Sequence, residues 1–326
     1  MTRITVCILS DGDWRATNRA VLSARRFGLD VVVGATGQRP RGAPLSGVHV
    51  VPVAWRDDFA DARNQIADTL APRGAADGRR ERGYLLWIDT DEELVSFPGR
   101  DLALDGPSLA VRLIDRDDLT ARAAQRLQRR APTPRWRGVI HETLPTGAAG
   151  LRLVEGILIR HHGYDDPRRL AAKRRRNARI TASARARGRD DFALALEHAR
   201  AARGGEAVLA WLRAFKHPRA APTHAGGFDP RAEAAAALCA HGLCAPAQEM
   251  LEANPAIVPL HLALLAAERR ASGAIDPARL ARVRRLIERG EADPHYAYPA
   301  VLAQGGHAAL DAWLDAASAA ENERSA

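Results

Sequence analysis

The hydrophobic positions change their period about halfway along the chain. Up to about residue 160 they come in short runs, some continuous and some alternating. ITVCIL (4–9), LDVVVGATG (29–37), GVHVVPVAW (47–55) and GYLLWIDTDEEL (83–94) read as strands. TNRAVLSARRFG (17–28) reads as a helix stopped by glycine. DFADARNQIADTLA (58–71) reads as a second helix, with Phe59, Ala62, Ile66 and Leu70 at spacings of 3, 4 and 4. PSLAVRLI (107–114) and EGILIR (155–160) are two further strand candidates, and residues 72–83 read as an exposed loop. Strand, helix, strand, strand, helix, strand predicts an α/β sandwich around a largely parallel sheet.

From Pro167 the period becomes helical. Segments 167–188, 189–205, 206–218, 231–242, 257–273, 277–291 and 306–323 all read as helices, nearly all punctuated by Gly or Pro. They predict an all-helical domain of antiparallel pairs, with no strict period and no tetratricopeptide signature. The expected organisation is an α/β domain over residues 1–166 and a helical domain over 167–326.

Composition sharpens this picture in two ways. Hydrophobic residues make up 46% of the 326, much of that alanine, and aromatic residues only 5%, so the helices must pack closely on small side chains. The balance of 48 basic to 39 acidic residues gives a net charge of +9, which suits nucleic acid, an anionic membrane surface or a phosphorylated ligand. Nucleic acid is not expected, because no known motif and no aromatic interleaving accompany the charge. No apolar stretch reaches 18 residues, so no transmembrane helix is expected, and MTRITVCILS reads as a first strand rather than a signal peptide. Cys7, Cys239 and Cys244 are too few and too scattered for a disulfide framework, which fits a reducing, cytoplasmic compartment.

The candidate chemistry begins where the fourth strand runs into Asp89, Thr90, Asp91, Glu92 and Glu93. Residues two apart on an extended segment share a side, so Asp89 and Asp91 together can meet one hard cation, Mg²⁺ or Mn²⁺. In a parallel sheet this is also the end at which ligands bind. The alternative is a polar strand exit leading into a helix start.

Four further clusters accompany this one. Trp55, Asp58, Phe59, Ala60, Ala62, Arg63 and Asn64 precede it; Gly138, Ile140, His141 and Glu142 follow; then come Ile159, His161, Gly163 and Tyr164, and finally Lys173, Arg176 and Asn177. In this order the five clusters, over residues 53–177, resemble inverting family 2 glycosyltransferases of the GT-A fold. The resemblance is to the bacterial branch with a C-terminal helical, tetratricopeptide-like extension. It implies a GT-A sandwich with a Rossmann-like mixed sheet, followed by an all-α domain. It also implies a nucleotide-sugar donor, most simply a UDP-sugar, and a peptide, protein or glycan acceptor presented by the helical domain.

By the same resemblance Asp89 and Asp91 are the D-x-D element. Asp89 meets the donor's ribose or the metal, Asp91 ligates the metal, and His161 completes its shell. Arg63 lies by the nucleotide, and Thr36 and Gly37 keep the T-G at the end of the second strand. Glu142 is the expected base, with His141 as a second candidate. His162 is expected on the opposite face from His161, and Asn64 is expected to hold helix and loop together.

The chain departs from the family at the second strand. Ala35 stands where an aspartate is usual, and Pro40 near the second one. Asp11 and Asp13 are the candidates to compensate. A transferase-like scaffold without catalysis, binding a protein partner through its helices, therefore stays open beside the enzyme. The basic run KRRRNARITASARARGR (173–189) reads as a solvated helix or as a contact to donor phosphates. A homodimer through the helical domain is a further expectation.

Overall fold

The computed structural model describes residues 3–37, 42–71, 83–99, 102, 104–115, 120–130, 133–145, 152–162, 167–189, 191–218, 231–293, 298–299 and 312. Contacts divide the chain into two units, Met1–Arg116 with Ala123–Arg187 and Asp117–Arg122 with Gly188–Ala326. The first unit thus keeps the basic helix that follows Pro167. Pro40, Gly163, Tyr164 and all but one residue of the last expected helix lie outside the described residues.

The first unit is built on eight strands: β1 (Arg3–Ser10), β2 (Asp30–Ala35), β3 (His49–Pro52), β4 (Gly83–Asp89), β5 (Glu92–Ser96), β6 (Ser108–Asp115), β7 (Thr120–Arg129) and β8 (Leu153–His161). Their order across the sheet is β3-β2-β1-β4-β7-β6-β8-β5. Strands β3, β2, β1 and β4 run parallel, β7 is antiparallel to β4, and β5 is antiparallel to β8. Two helices, α1 (Trp14–Arg25) and α2 (Phe59–Leu70), take opposite faces of the parallel part.

The period of two explains that arrangement. Val6 and Ile8 of β1 with Leu86 and Ile88 of β4 pack in the core that contains Ala20, Val21 and Ala24 of α1. Cys7, Leu85 and Trp87 point the other way, into the core that contains Ala60, Ala62 and Ile66 of α2. Strand β4 is buried on both faces from Gly83 to Ile88, which is why its sequence is a continuous apolar run. Burial pushes the Cys7 thiol well above its ordinary value, so it serves as a small apolar residue.

Both helices are started by an aspartate. Asp13 Oδ1 accepts the Ala16 amide at 3.3 Å and Asp58 Oδ1 the Asp61 amide at 2.9 Å. A third helix, α3 (Pro167–Ala186), closes the unit.

The second unit carries α4 (Phe192–Ala201), α5 (Gly205–Phe215), α6 (Ala232–Ala240), α7 (Ala245–Ala253), α8 (Val258–Ser272) and α9 (Pro277–Glu288). Neighbouring helices pack in sequence, and α6 also meets α8. Ala199, Ala210, Ala214, Ala234, Ala235 and Ala247 lie in that core, which is how helices poor in aromatics approach closely. Among the described residues no helix is long and apolar enough to cross a membrane.

At Gly34 helix α2 approaches the sheet closely. A Cβ there would fall 2.2 Å from Ile66 Cδ1 and 2.9 Å from Val53 Cγ2. Gly34→Val should therefore cost about 2 kcal/mol through overpacking. Urea denaturation read by tryptophan fluorescence checks it; an unchanged midpoint would show that α2 can move away freely.

Candidate active site

Register brings the carboxyl ends of the parallel strands level. Asp89 pairs with Leu9, and Ser10 with Ala35, so the ends of β4, β1 and β2 form one rim. Thr36 lies one residue beyond, its amide donating to Ser10 O at 2.9 Å, and Gly37 follows with φ 68°. The Thr36 hydroxyl is buried without a hydrogen-bond partner. Asp13 is committed to capping α1, and Asp11 Oδ1 accepts the Asp13 amide at 3.2 Å.

Arg63, on α2, sits at the centre. Its Nη2 donates to Asp89 Oδ1 at 2.8 Å and its Nε to Glu142 Oε1 at 2.5 Å. Its side chain is 3% exposed, and Glu142 is 11% exposed. The guanidinium carbon lies 5.1 Å from the ring centroids of both Trp87 and Trp136. Those two indoles meet edge to face and both donate to Gln128 Oε1, at 2.7 and 3.2 Å. The remaining nitrogen, Nη1, is buried without an acceptor.

Glu142 reaches Arg63 from a short loop. Arg137 and Thr143 exchange two backbone hydrogen bonds of 2.9 Å, closing the loop between them. Asn64 holds this loop to α2, donating to Trp136 O at 3.0 Å and accepting the Trp136 amide at 2.9 Å. The Phe59 amide donates to Val139 O at 3.0 Å. His141 is exposed, with φ 49°. Glu142 follows it directly in the loop.

The two D-x-D aspartates do not share one environment. The strand ends at Asp89, and Thr90 and Asp91 make a turn into β5, so the extended geometry expected from the sequence is replaced by a turn. Asp89 Oδ2 accepts Arg126 Nη2 at 3.0 Å, and the same nitrogen donates to Glu92 Oε1 at 2.5 Å. Glu92 Oε2 accepts the Asp89 amide at 2.9 Å, stapling the turn. Asp91 Oδ2 instead faces His161 Nε2 at 3.4 Å and Lys173 Nζ, from α3, at 3.6 Å. His162 turns to Glu93, with Nε2 3.4 Å from Oε1, as strand alternation requires.

The residues expected to hold a divalent cation were Asp89, Asp91 and His161. A small hard cation needs its ligand atoms to converge on one point at about 2.1 Å. Both oxygens of Asp89 carry guanidinium nitrogens, while Asp91 faces His161 and Lys173. Among the described residues no group of three or more His, Cys, Asp or Glu is disposed to hold a metal ion. The three side chains as placed do not fit a shared coordination shell.

The charges explain the protonation states. Burial pushes the Asp89 carboxyl up, but Arg126 and Arg63 outweigh it and hold it well below the usual carboxylate range. Asp91 is lowered too, by the hydrogen bond from His161 and the Lys173 charge against burial. His161 is raised, the Asp91 hydrogen bond outweighing burial. Glu92 is raised by burial, which Arg126 only partly offsets. Glu92 was named in the sequence reading as part of the acidic cluster, and Arg126 had no role there. Arg126 lies on a strand of Arg, Gln and Ala that does not look like one.

Replacing Arg63 by Met leaves Glu142 and Asp89 without their shared partner, at a cost of about 3 kcal/mol near neutral pH. Because the folded-state pKa of Asp89 is depressed, its contribution is present above about pH 4 and is lost as pH falls. The deficit of Arg63→Met should therefore shrink on acidification, as read by urea denaturation at several pH values. A pH-independent deficit would assign the effect to packing against the tryptophans alone.

A comparison with models of known protein families returned no match. The chain is 26% identical over 183 residues to a TPR repeat-containing protein of Synechococcus elongatus, covering 50% of this chain and 43% of that protein. It thus spans less than half the length of this distant relative.

Proposed function

We propose that the first unit is a GT-A type glycosyltransferase that moves a sugar from a nucleotide-sugar donor to an acceptor with inversion. The observation that carries this reading is the Arg63 bridge. Arg63 joins Asp89, at the end of a central parallel strand, to Glu142, which lies 79 residues from Arg63 in sequence, at the sheet edge where such folds bind ligands.

In this reading Asp89 accepts from the donor's ribose, and Thr36 and Gly37 lie against the nucleotide. Oε1 of Glu142 is fixed by Arg63, which leaves Oε2 to take the proton of the acceptor hydroxyl. The acceptor oxygen bonds to the anomeric carbon as the bond from that carbon to the diphosphate oxygen breaks on the opposite face. The proton ends on Glu142 and the electron pair on the departing nucleoside diphosphate. The metal expected from the sequence is not carried into this scheme, because its three ligands are not assembled.

The helical unit is assigned the acceptor. The repeat-containing relative favours a peptide or protein acceptor over a free glycan. The second reading, a non-catalytic scaffold, is favoured by Ala35 together with the commitment of Asp13 to a helix cap.

Glu142→Gln tests the choice of base. Transfer from UDP-sugars to a panel of peptide and glycan acceptors should fall about 100-fold or more, with UDP affinity changed only a few-fold. Unchanged turnover would remove Glu142 from the base role. Absence of UDP and GDP binding by the wild-type protein would leave the scaffold.

A further inference from the structure

We propose that the positive charge meeting the donor diphosphate is supplied by α3, through Lys173 and Arg176, in place of a divalent cation. This rests on the reading of the first unit as a nucleotide-sugar transferase. It concerns the part of that reading on which the structure departs from the sequence, the filling of the D-x-D element.

The inner carboxylates are already matched with cations that cannot leave. Arg63 is wedged between two indoles and bonded to both Asp89 and Glu142. Arg126, with a side chain 14% exposed, is bonded to both Asp89 and Glu92. Asp89 thus acts as an anchor that orients two guanidinium groups.

The rim is different in kind. Lys173 and Arg176 lie one turn apart on α3, so they share a face. Lys173 approaches Asp91 only to 3.6 Å and keeps a side chain 37% exposed. Arg176 lies over the Phe59 ring with its guanidinium carbon 5.0 Å from the centroid, and reaches Asn177 Oδ1 at 3.2 and 3.4 Å. Burial holds the Arg176 guanidinium below its ordinary value, and the carboxylates of Asp91, Asp11, Asp89 and Glu142 act against that. One turn further along, Arg179 forks onto Asp57 at 2.9 and 3.0 Å and fixes the helix there. Helix α3 has eight Arg or Lys residues and no Asp or Glu, so the face turned to the rim carries positive charge unopposed from within the helix.

A diphosphate entering here meets Lys173, 3.6 Å from Asp91, and Arg176 one turn along, and charge-assisted bonds to phosphate are shorter and stronger than the Lys173–Asp91 contact. Planar Arg176 suits two phosphate oxygens at once, while Lys173 serves as a point charge. The departing diphosphate is then neutralised by fixed side chains, which need no metal to bridge its oxygens.

The test is calorimetric titration of inorganic pyrophosphate, UDP and GDP, each in EDTA and in Mn²⁺. It uses the wild-type protein, Arg176→Gln and Lys173→Gln. Both positions face solvent, and thermal melts verify that the variants stay folded. Binding in EDTA that each variant weakens about ten-fold or more supports the proposal. Binding of UDP or GDP that appears only with Mn²⁺ overturns it and leaves the transferase reading standing. Binding in EDTA that neither variant weakens also overturns it. Pyrophosphate binding in EDTA through these two residues, with no UDP or GDP binding, supports an anion site and overturns the transferase reading. Absence of any binding, with or without metal, overturns both.

Discussion

The site depends on one buried guanidinium. Arg63 joins the end of β4, the loop carrying Glu142 and helix α2 through side-chain charge. Burying such a group is costly unless its hydrogen bonds and its charge are met. Here two carboxylates meet the charge and two indole faces cover the rest, so the surroundings of Arg63 are dictated as a set. Trp87 and Trp136 need Gln128 to receive their indole N–H groups, and Gln128 in turn donates to Pro134 O at 2.6 Å. A chain of obligations thus runs from Arg63 into β7 and the segment before the Glu142 loop.

That chain also orders the electrostatics from inside to outside. The inner carboxylates are fully matched by arginines that cannot leave. Further out, Asp91 meets His161 at 3.4 Å and Lys173 at 3.6 Å. The inner pairs are thus held more closely than the outer ones.

Much of this was legible in the sequence, and the reasons for the rest are specific. β1, β2, β4 and α2 announce themselves because parallel strands buried on both faces are continuous apolar runs and α2 has a regular apolar stripe. Strand β7 does not, since TARAAQRLQR is made of residues with little strand propensity; its place between β4 and β6 is set by its neighbours. Arg126 was hidden with it. Helix α7 was missed because it is short and only Ala247, Met250 and Leu251 are buried. The motif residues were found, but their partners were not. Spacing along a strand suggested that Asp89 and Asp91 share one ligand, while the turn after Asp89 sends them to different partners.

The backbone points to the same place by a separate route. Among the described residues only Asp57 and His141 are non-glycine residues with positive φ, at 54° and 49°. Each is strained on its own and persists only where neighbours over-determine it. Asp57 is held by Trp55 Nε1 at 2.9 Å and by the Arg179 fork, immediately before the cap that starts α2 toward Arg63. His141 lies inside the loop closed by Arg137 and Thr143, immediately before Glu142. The two strained residues therefore flank the two ends of the Arg63–Glu142 bridge.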